Sequence, residues 1–391
     1  MKELIILGVT GSIGKQVLET IKGKDFRVRS IACGKRVELI ENIISEYNLD
    51  LEYLSVSDEN LTDDAYLKIS DLQKKYPNLK IGFGESGLIK AIVDYPGDVV
   101  NAITGIAGLI PTVKAIECKK NVMLANKETL VVAGNIILEM AKNNNVRIVP
   151  IDSEHNALYR LMNNVKEKEI SKLIITASGG AFRDKSRDEL ANVTIDDALA
   201  HPNWSMGAKI TVDCATMVNK GLEVMEAHHL FNFDYDNIET VIHPESIIHS
   251  MVEYNDNSIG ALMYNPSMLI PIQYAIYEDN LEYTIDKTNV KKISFTELKQ
   301  LTFREMDEER FPMIRLAYEV GKAGGLLPTV FNASNEAAVS LFLNKKIKFL
   351  QIEEIIKNAC LKYRDINKKK PKFTIEDIIN LDKEVKANIL F

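Results

Sequence analysis

Asp152 and Glu154 stand two residues apart in Pro150-Ile151-Asp152-Ser153-Glu154-His155-Asn156, just past the first third of a 391-residue chain. The apolar run Ile148, Val149 and Ile151 before them predicts a short buried strand. If the chain stays extended through Glu154, both carboxylates point the same way. They then repel unless a cation lies between them. A hard divalent ion, Mg²⁺ or Mn²⁺, suits such oxygen donors. The same acids could instead cap a helix whose apolar face is Ala157, Leu158, Leu161 and Met162. Further on, Lys220 and Glu223 are three apart and share a face if their segment is helical. They form either a surface ion pair, or a lysine for a phosphate beside a third acid for the metal.

Other polar residues collect at predicted strand ends and in one unusual loop. Asn126, Lys127 and Glu128 follow the predicted strand Asn121–Ala125, where a parallel sheet presents ligand groups; an exposed Lys–Glu pair is the alternative. Ser178, Gly179 and Gly180 follow the apolar strand Leu173-Ile174-Ile175 and could form an anion-binding nest or an ordinary tight turn. The only tryptophan, Trp204, lies in a polar loop with Pro202, Asn203, Ser205 and Gly207. That setting suits a lid closing over a ligand. His243 and His249 lack the i, i+4 partner of a zinc helix and are assigned to pocket and packing roles.

These residues need elements to hold them. The strand Leu4–Leu7 runs into Gly8-Val9-Thr10-Gly11-Ser12-Ile13-Gly14, and Val17, Leu18 and Ile21 then mark a helix face. This G-x-x-G-x-x-G turn is a variant of the dinucleotide fingerprint, placed between strand and helix. After the next strand, Val28–Cys33, stand Gly34, Lys35 and Arg36, where an NAD-specific fold places an acid. Two cations there suit the 2′-phosphate of NADPH, or a solvated loop. Strand and helix continue to alternate to residue 150, which predicts a doubly wound, mostly parallel sheet. Residues 238–264 predict two or three antiparallel strands, and helical periodicity returns from about 308. The fold class is therefore α/β: an N-terminal Rossmann-like sheet (1–150), a central α+β catalytic domain (151–279), a connecting segment (280–307) and a small all-helical C-terminal domain (308–391).

Composition narrows the function. Apolar content of 46% and charged content of 26% are ordinary for a globular protein. The net charge of −7 disfavours nucleic acid, and no apolar run approaches a membrane span. Four scattered cysteines without a CxxC pair, and no signal peptide before the first strand, suggest a reducing, cytoplasmic setting.

Taken together, the motifs resemble the 1-deoxy-D-xylulose 5-phosphate reductoisomerase family over essentially the whole length. The resemblance rests on the Gly8–Gly14 turn, Leu124-Ala125-Asn126-Lys127-Glu128, Pro150–His155, Ala177-Ser178-Gly179-Gly180, His201–Gly207, Met217–Glu223 and His243–Met251. It implies reductive isomerisation of a phosphorylated sugar with NADPH and Mg²⁺ or Mn²⁺, inhibition by fosmidomycin-type hydroxamates, and a homodimer. It implies metal binding by Asp152, Glu154 and Glu223, with Lys127 also catalytic. Substrate contacts would be Ser153, Glu154, His201, Trp204 and Glu223, with Ser178, Asn219, Lys220 and residue 214 at the phosphate. Cofactor contacts would be Thr10, Gly11, Ser12, Ile13, Gly34, Lys35, Arg36, Asn126, Lys127, Glu128 and Gly207. Two positions depart from the family. Cys214 stands where serine is usual, and a thiol is a weak donor that a nearby lysine could make reactive. Arg36 stands where asparagine is common. The rival readings are an NADP-dependent dehydrogenase of a phosphorylated aldehyde without rearrangement, and a non-catalytic NADP(H) sensor.

Overall fold

All seven strands of the N-terminal sheet run parallel, as their apolar sequences and the intervening helices require. The structure is a computed structural model describing residues 1–58, 60–163, 165–166, 169–277 and 290–390. The strands are β1 (Lys2–Leu7), β2 (Phe26–Cys33), β3 (Tyr53–Val56), β4 (Lys80–Phe83), β5 (Asp98–Asn101), β6 (Val122–Leu124) and β7 (Ile148–Pro150). Between them lie α1 (Ser12–Ile21), α2 (Ile40–Glu46), α3 (Asp63–Lys75), α4 (Gly84–Val93), α5 (Leu109–Glu117) and α6 (Lys127–Asn143). The sheet order is β4-β3-β2-β1-β5-β6-β7. The order reverses between β1 and β5, and crossover connections on each side of that point wind the chain doubly. β1 is buried from Leu4 to Leu7, and α1 buries Val17, Leu18 and Ile21.

The rest of the chain begins with α7 (Ser153–Met162), β8 (Ile170–Ala177), α8 (Ile195–Leu199), α9 (Ala208–Ala215) and α10 (Val218–Phe231). It continues with β9 (Ile238–Ile242), β10 (Ile248–Tyr254), β11 (Ile259–Met263), α11 (Leu269–Tyr277), α12 (Phe295–Leu298) and β12 (Arg304–Glu305). It ends in α13 (Pro312–Ala323), α14 (Leu327–Leu343), α15 (Phe349–Lys362), α16 (Ile366–Lys369) and α17 (Ile375–Leu390). A mixed sheet of order β11-β10-β8-β9-β12 forms the platform. The expectation of antiparallel strands over 238–264 holds for β10 with β11 only. β9 instead lies parallel to β8, and antiparallel to the distant β12. Local sequence pattern specifies a strand, while its neighbour is chosen by tertiary packing. The predicted C-terminal helices are present, with α14 at their centre against α13, α15 and α17, and α13 also packs on α10.

The chain forms two compact units. One holds Met1–Asn126, Ile137–Asp152 and α11; the other holds Lys127–Ile136, Ser153–Ser267 and Val290–Phe391. The sequence-based boundary at 150/151 lies two residues before the crossing at 152/153. The sequence reading groups residues 268–277 with the catalytic part, whereas α11 packs on α1 and β7. Part of the predicted connecting segment, 280–289, lies outside the described residues; the described remainder carries α12 and β12. Helix α6 crosses between the units and is kinked at Ala133 (φ −142°, ψ 18°).

Candidate active site

In the first unit the glycine turn is shaped by contacts that no side chain could share. Gly8 has φ +83°, and a Cβ there would lie 2.6 Å from the Ala102 carbonyl oxygen, on the chain leaving β5. A Cβ on Gly14 would lie 2.5 Å from the Gly8 carbonyl oxygen. The turn thus sits at the switch point, where parallel sheets bind ligands. The Gly11 amide donates to the Gly8 carbonyl at 2.9 Å. The first turn of α1, with Ser12 and Ile13, carries no acid, so no side chain there opposes an anion at its amide groups. Thr10 is buried behind it. Gly34, Lys35 and Arg36 are exposed beyond β2. Lys35 Nζ is 3.7 Å from Asp58 Oδ2, a long surface contact that a phosphate could replace at little cost. Asn126 is buried, and its amide donates to the carbonyls of Ile103 and Gly105, each at 2.7 Å. It therefore clamps the loop after β5. This turn, with its glycine cradle and flanking cations, fits a dinucleotide phosphate.

In the second unit the acids and lysines meet. The αL residue Met217 (φ 62°) turns the chain into α10, whose first two turns carry Asn219, Lys220 and Glu223. Lys220 and Glu223 are not a surface pair: their side chains are 4% and 1% exposed. Lys220 Nζ donates to Glu154 Oε1 at 2.7 Å and also to Glu223. Lys127 Nζ donates to Asn219 Oδ1 and Glu223 Oε1, both at 3.0 Å, and Asn219 also donates to Glu223. The exposed-pair alternative for Lys127 and Glu128 fails, since both are buried and each bonds elsewhere. Ser153 donates to Glu154.

The strand geometry proposed for Asp152 and Glu154 is not the one adopted. β7 ends at Pro150 and the helix begins at Ser153, so the two acids straddle a strand-to-helix junction. Asp152 is the covalent junction residue, held at the first turn of α7 by its bond to Ser153. One carboxylate oxygen from each of Asp152, Glu154 and Glu223 lies within 4.8 Å of the others. All donors are carboxylate oxygens, which fits a hard divalent cation. Three carboxylates against the ammonium groups of Lys127 and Lys220 leave a net negative site. The two neighbouring attractions raise the pKa of Lys220 although burial opposes them, so it stays protonated.

A second polar cluster follows β8. Gly179 and Gly180 both have positive φ, and a Cβ on Gly180 would lie 2.4 Å from the Cys214 carbonyl oxygen. Ser178 Oγ accepts from the Gly180 amide at 3.2 Å and pairs with His201 Nε2 at 3.0 Å. His201 Nδ1 accepts from the amides of Asn203 and Trp204 at 3.2 and 3.0 Å. Nδ1 is therefore the acceptor and the proton sits on Nε2. Burial, helped by Arg183, holds the His201 pKa down to about 4, so the ring is neutral. Trp204 stands edge-on to His249, ring centroids 6.2 Å apart, and Asn203 donates to Pro244 O (2.7 Å) and Ser246 Oγ (2.6 Å). His243 and His249 are buried packing residues, as expected; His243 Nε2 accepts from the amides of Ile247 and Ile248. Gly207 caps the start of α9, where a Cβ would meet nothing within 4 Å among the described residues. The idea of a reactive Cys214 is corrected. Desolvation of the partly buried thiol, with Glu223 adding to it, raises its pKa despite Lys127 and Lys220, the opposite direction from an activated thiol.

Three residues here escaped sequence reasoning. Lys209 Nζ bonds Glu128 Oε1 at 2.7 Å and lies 3.0 Å from Asp213 Oδ2, and Asn335 of α14 donates to Asp213 Oδ1 at 2.9 Å. The only sequence signal was the i, i+4 spacing of Lys209 and Asp213, which ordinarily marks a solvated pair.

A doubly wound sheet with a glycine turn at its switch point, in one chain with a carboxylate–lysine cluster, defines a dinucleotide-dependent enzyme for an anionic, oxygen-rich substrate. The chain belongs to the 1-deoxy-D-xylulose 5-phosphate reductoisomerase family. Family models match residues 4–134 (1-deoxy-D-xylulose 5-phosphate reductoisomerase), 148–231 (its C-terminal domain) and 263–388 (DXP reductoisomerase C-terminal domain). Proteins of that name from Geobacillus sp. (strain WCH70) and Bacillus subtilis (strain 168) are each 46% identical, matching 100% of this chain and 99% of their own. A solved DOX-P reductoisomerase with NADPH, fosmidomycin and magnesium matches 100% of this chain and 97% of its own at 35% identity and a TM-score of 0.91. The Zymomonas mobilis enzyme with NADPH matches 100% and 98%, also at 35% identity, with a TM-score of 0.86.

Proposed function

We propose that this protein converts 1-deoxy-D-xylulose 5-phosphate to 2-C-methyl-D-erythritol 4-phosphate. The observation that carries the reading is the three-carboxylate set of Asp152, Glu154 and Glu223 beside two buried lysines, within a chain related to this family along its whole length. When bound, NADPH supplies hydride, and a divalent cation polarises the substrate carbonyl and its neighbouring hydroxyl.

The roles assigned to the chain's own residues are those the family resemblance implies, and the contacts described above support them. Asp152, Glu154 and Glu223 hold the cation. Lys127, braced by Asn219 and Glu223, presents an ammonium proton to a substrate oxygen. Lys220, Asn219, Ser178 and Cys214 hold the phosphate. Ser178 Oγ already accepts two hydrogen bonds, so toward a ligand it can only donate, which is what a phosphate oxygen needs. Ser153 and neutral His201 orient the substrate, and Trp204 excludes water above it. Thr10, Gly11, Ser12 and Ile13 receive the NADPH pyrophosphate. Gly34, Lys35 and Arg36 take the 2′-phosphate, and Asn126, Lys127, Glu128 and Gly207 shape the nicotinamide end. Residues 1–150 thus serve the cofactor and 151–279 the metal and substrate, with 308–391 supporting them, in a homodimer.

The test follows NADPH absorbance with deoxyxylulose phosphate. Turnover should vanish with EDTA, return with Mg²⁺ or Mn²⁺, and fall to near background in Asp152→Asn. Metal-independent turnover of a phosphorylated aldehyde, with none of the keto substrate, would establish the plain dehydrogenase instead.

A further inference from the structure

Glu128 opens α6 directly after Lys127, and its side chain is almost fully buried. A buried carboxylate needs a partner. Lys209 supplies it, from the first turn of α9, two residues after Gly207 ends the Trp204 loop. Lys209 also lies 3.0 Å from Asp213, one turn along its own helix, and Asp213 is only 2% exposed. Asn335, fully buried in the middle of α14, fixes the other Asp213 oxygen at 2.9 Å. The Thr211 hydroxyl and amide both donate to the Gly207 carbonyl, which stiffens the turn where loop becomes helix. At its other end the loop is held by His201 on Ser178. One ammonium group therefore ties the C-terminal end of the Trp204 loop to the first turn of α6, through a relay that ends in α14. Neither Lys209 nor Asp213 reaches the carboxylate–lysine cluster in any of these bonds.

We propose that Lys209 is a positioning residue for NADPH use: it fixes the Glu128 carboxylate, and with it the landing point of the Trp204 loop. This rests on the assignment of Glu128 to the cofactor. The pairing is costly to break from one side only, because Lys209→Met removes the ammonium group that the buried Glu128 and Asp213 share. Hydrogen bonds to charged groups are worth enough to change binding by about tenfold.

The test compares Lys209→Met, Lys209→Arg, Glu128→Gln and the Glu128→Gln/Lys209→Met double variant in the full-length enzyme with Mg²⁺. Lys209→Met should raise KM for NADPH by about tenfold while KM for deoxyxylulose phosphate moves less than about twofold. Lys209→Arg, whose planar fork can still bridge two carboxylates, should restore most of the loss. The double variant should lose much less than the product of the two single effects. If Lys209→Met is folded but less stable, with KM for NADPH unchanged, the residue is merely structural and the proposal falls. If Lys209→Met does not fold, Lys209→Arg, Glu128→Gln and the Glu128→Gln/Lys209→Arg double variant decide: additive effects on KM for NADPH overturn the coupling. If Glu128→Gln alone leaves KM for NADPH unmoved, the cofactor role of Glu128 itself is wrong, a failure distinguishable from the first.

Discussion

At the scale of single residues, protonation states decide what each group can do. His201 is held neutral because burial penalises its cation, so its Nε2–H remains a donor to Ser178 through the neutral range. The folded pKa lies below the unfolded one. The stability this gives is whole above about pH 6.5 and is lost as pH falls toward the folded value. An NMR titration of the His201 ring should give a midpoint near 4; a midpoint near 6.5 would mean that the ring is solvated and that its link to Ser178 is not persistent. The spacing of Asp152 and Glu154 left a helix cap and a metal site both open, and the roles came from the resemblance of the longer motifs; what the structure adds is the burial of Lys220 and Glu223, which excludes a surface pair. Lys209 and Asp213 were not legible. A lysine and an aspartate four apart describe countless solvated helix faces, and only burial against Glu128 and Asn335 distinguishes this pair. Cys214 shows the opposite failure. A lysine nearby suggested an activated thiol, but the desolvation that raises its pKa comes from the fold.

At the scale of elements, the parallel sheet was legible strand by strand, since each buried strand is a short apolar run bounded by a helix. What the sequence could not say is which strands neighbour each other in the second sheet. β9 follows α10 in the chain, yet its partners are β8 and β12, and no residue within β9 encodes that choice. Nor did the Asp152–Glu154 spacing reveal that a helix begins between them. The glycine turn offers a test in which two propensities compete. Alanine in a helix interior is favoured over glycine by about 1 kcal/mol, so Gly14→Ala should stabilise α1 on local grounds. Its Cβ, however, would come within 2.5 Å of the Gly8 carbonyl oxygen and 2.6 Å of Val9 Cα, both backbone atoms that cannot swing aside. Overpacking of that kind typically costs about 1–3 kcal/mol, more than the propensity gain. Gly14→Ala should therefore lower Tm and weaken NADPH binding, read by thermal denaturation and by fluorescence titration. A raised Tm with unchanged binding would show that the turn is slacker than its contacts imply.

At the scale of the whole molecule, the chain crosses between its two compact units five times, so neither is a simple stretch of sequence. Among the described residues no helix is long and apolar enough to cross a membrane. The first unit depends on a helix that arrives more than a hundred residues late. α11 packs on α1 and β7, burying Ile272, Ala275, Ile276 and Tyr277. Lys2 Nζ donates to the Ile276 carbonyl at 2.9 Å, and the Tyr277 ring meets Phe26 edge-on at 5.4 Å. Full burial of one isoleucine side chain is worth about 1.5–3 kcal/mol, so two isoleucines and a tyrosine approach the whole net stability of an ordinary domain, about 5–15 kcal/mol. A fragment of residues 1–150, with every strand and the glycine turn intact, should therefore be poorly folded, with low cooperativity in thermal melts and weak NADPH binding. Joining residues 268–277 to it through a flexible linker should restore a cooperative transition and submillimolar NADPH affinity. The added segment covers α1 and β7, and the gain is expected from that covered face. If fragment 1–150 binds NADPH as tightly as the joined version and melts at the same temperature, α11 is an ornament on a self-sufficient sheet.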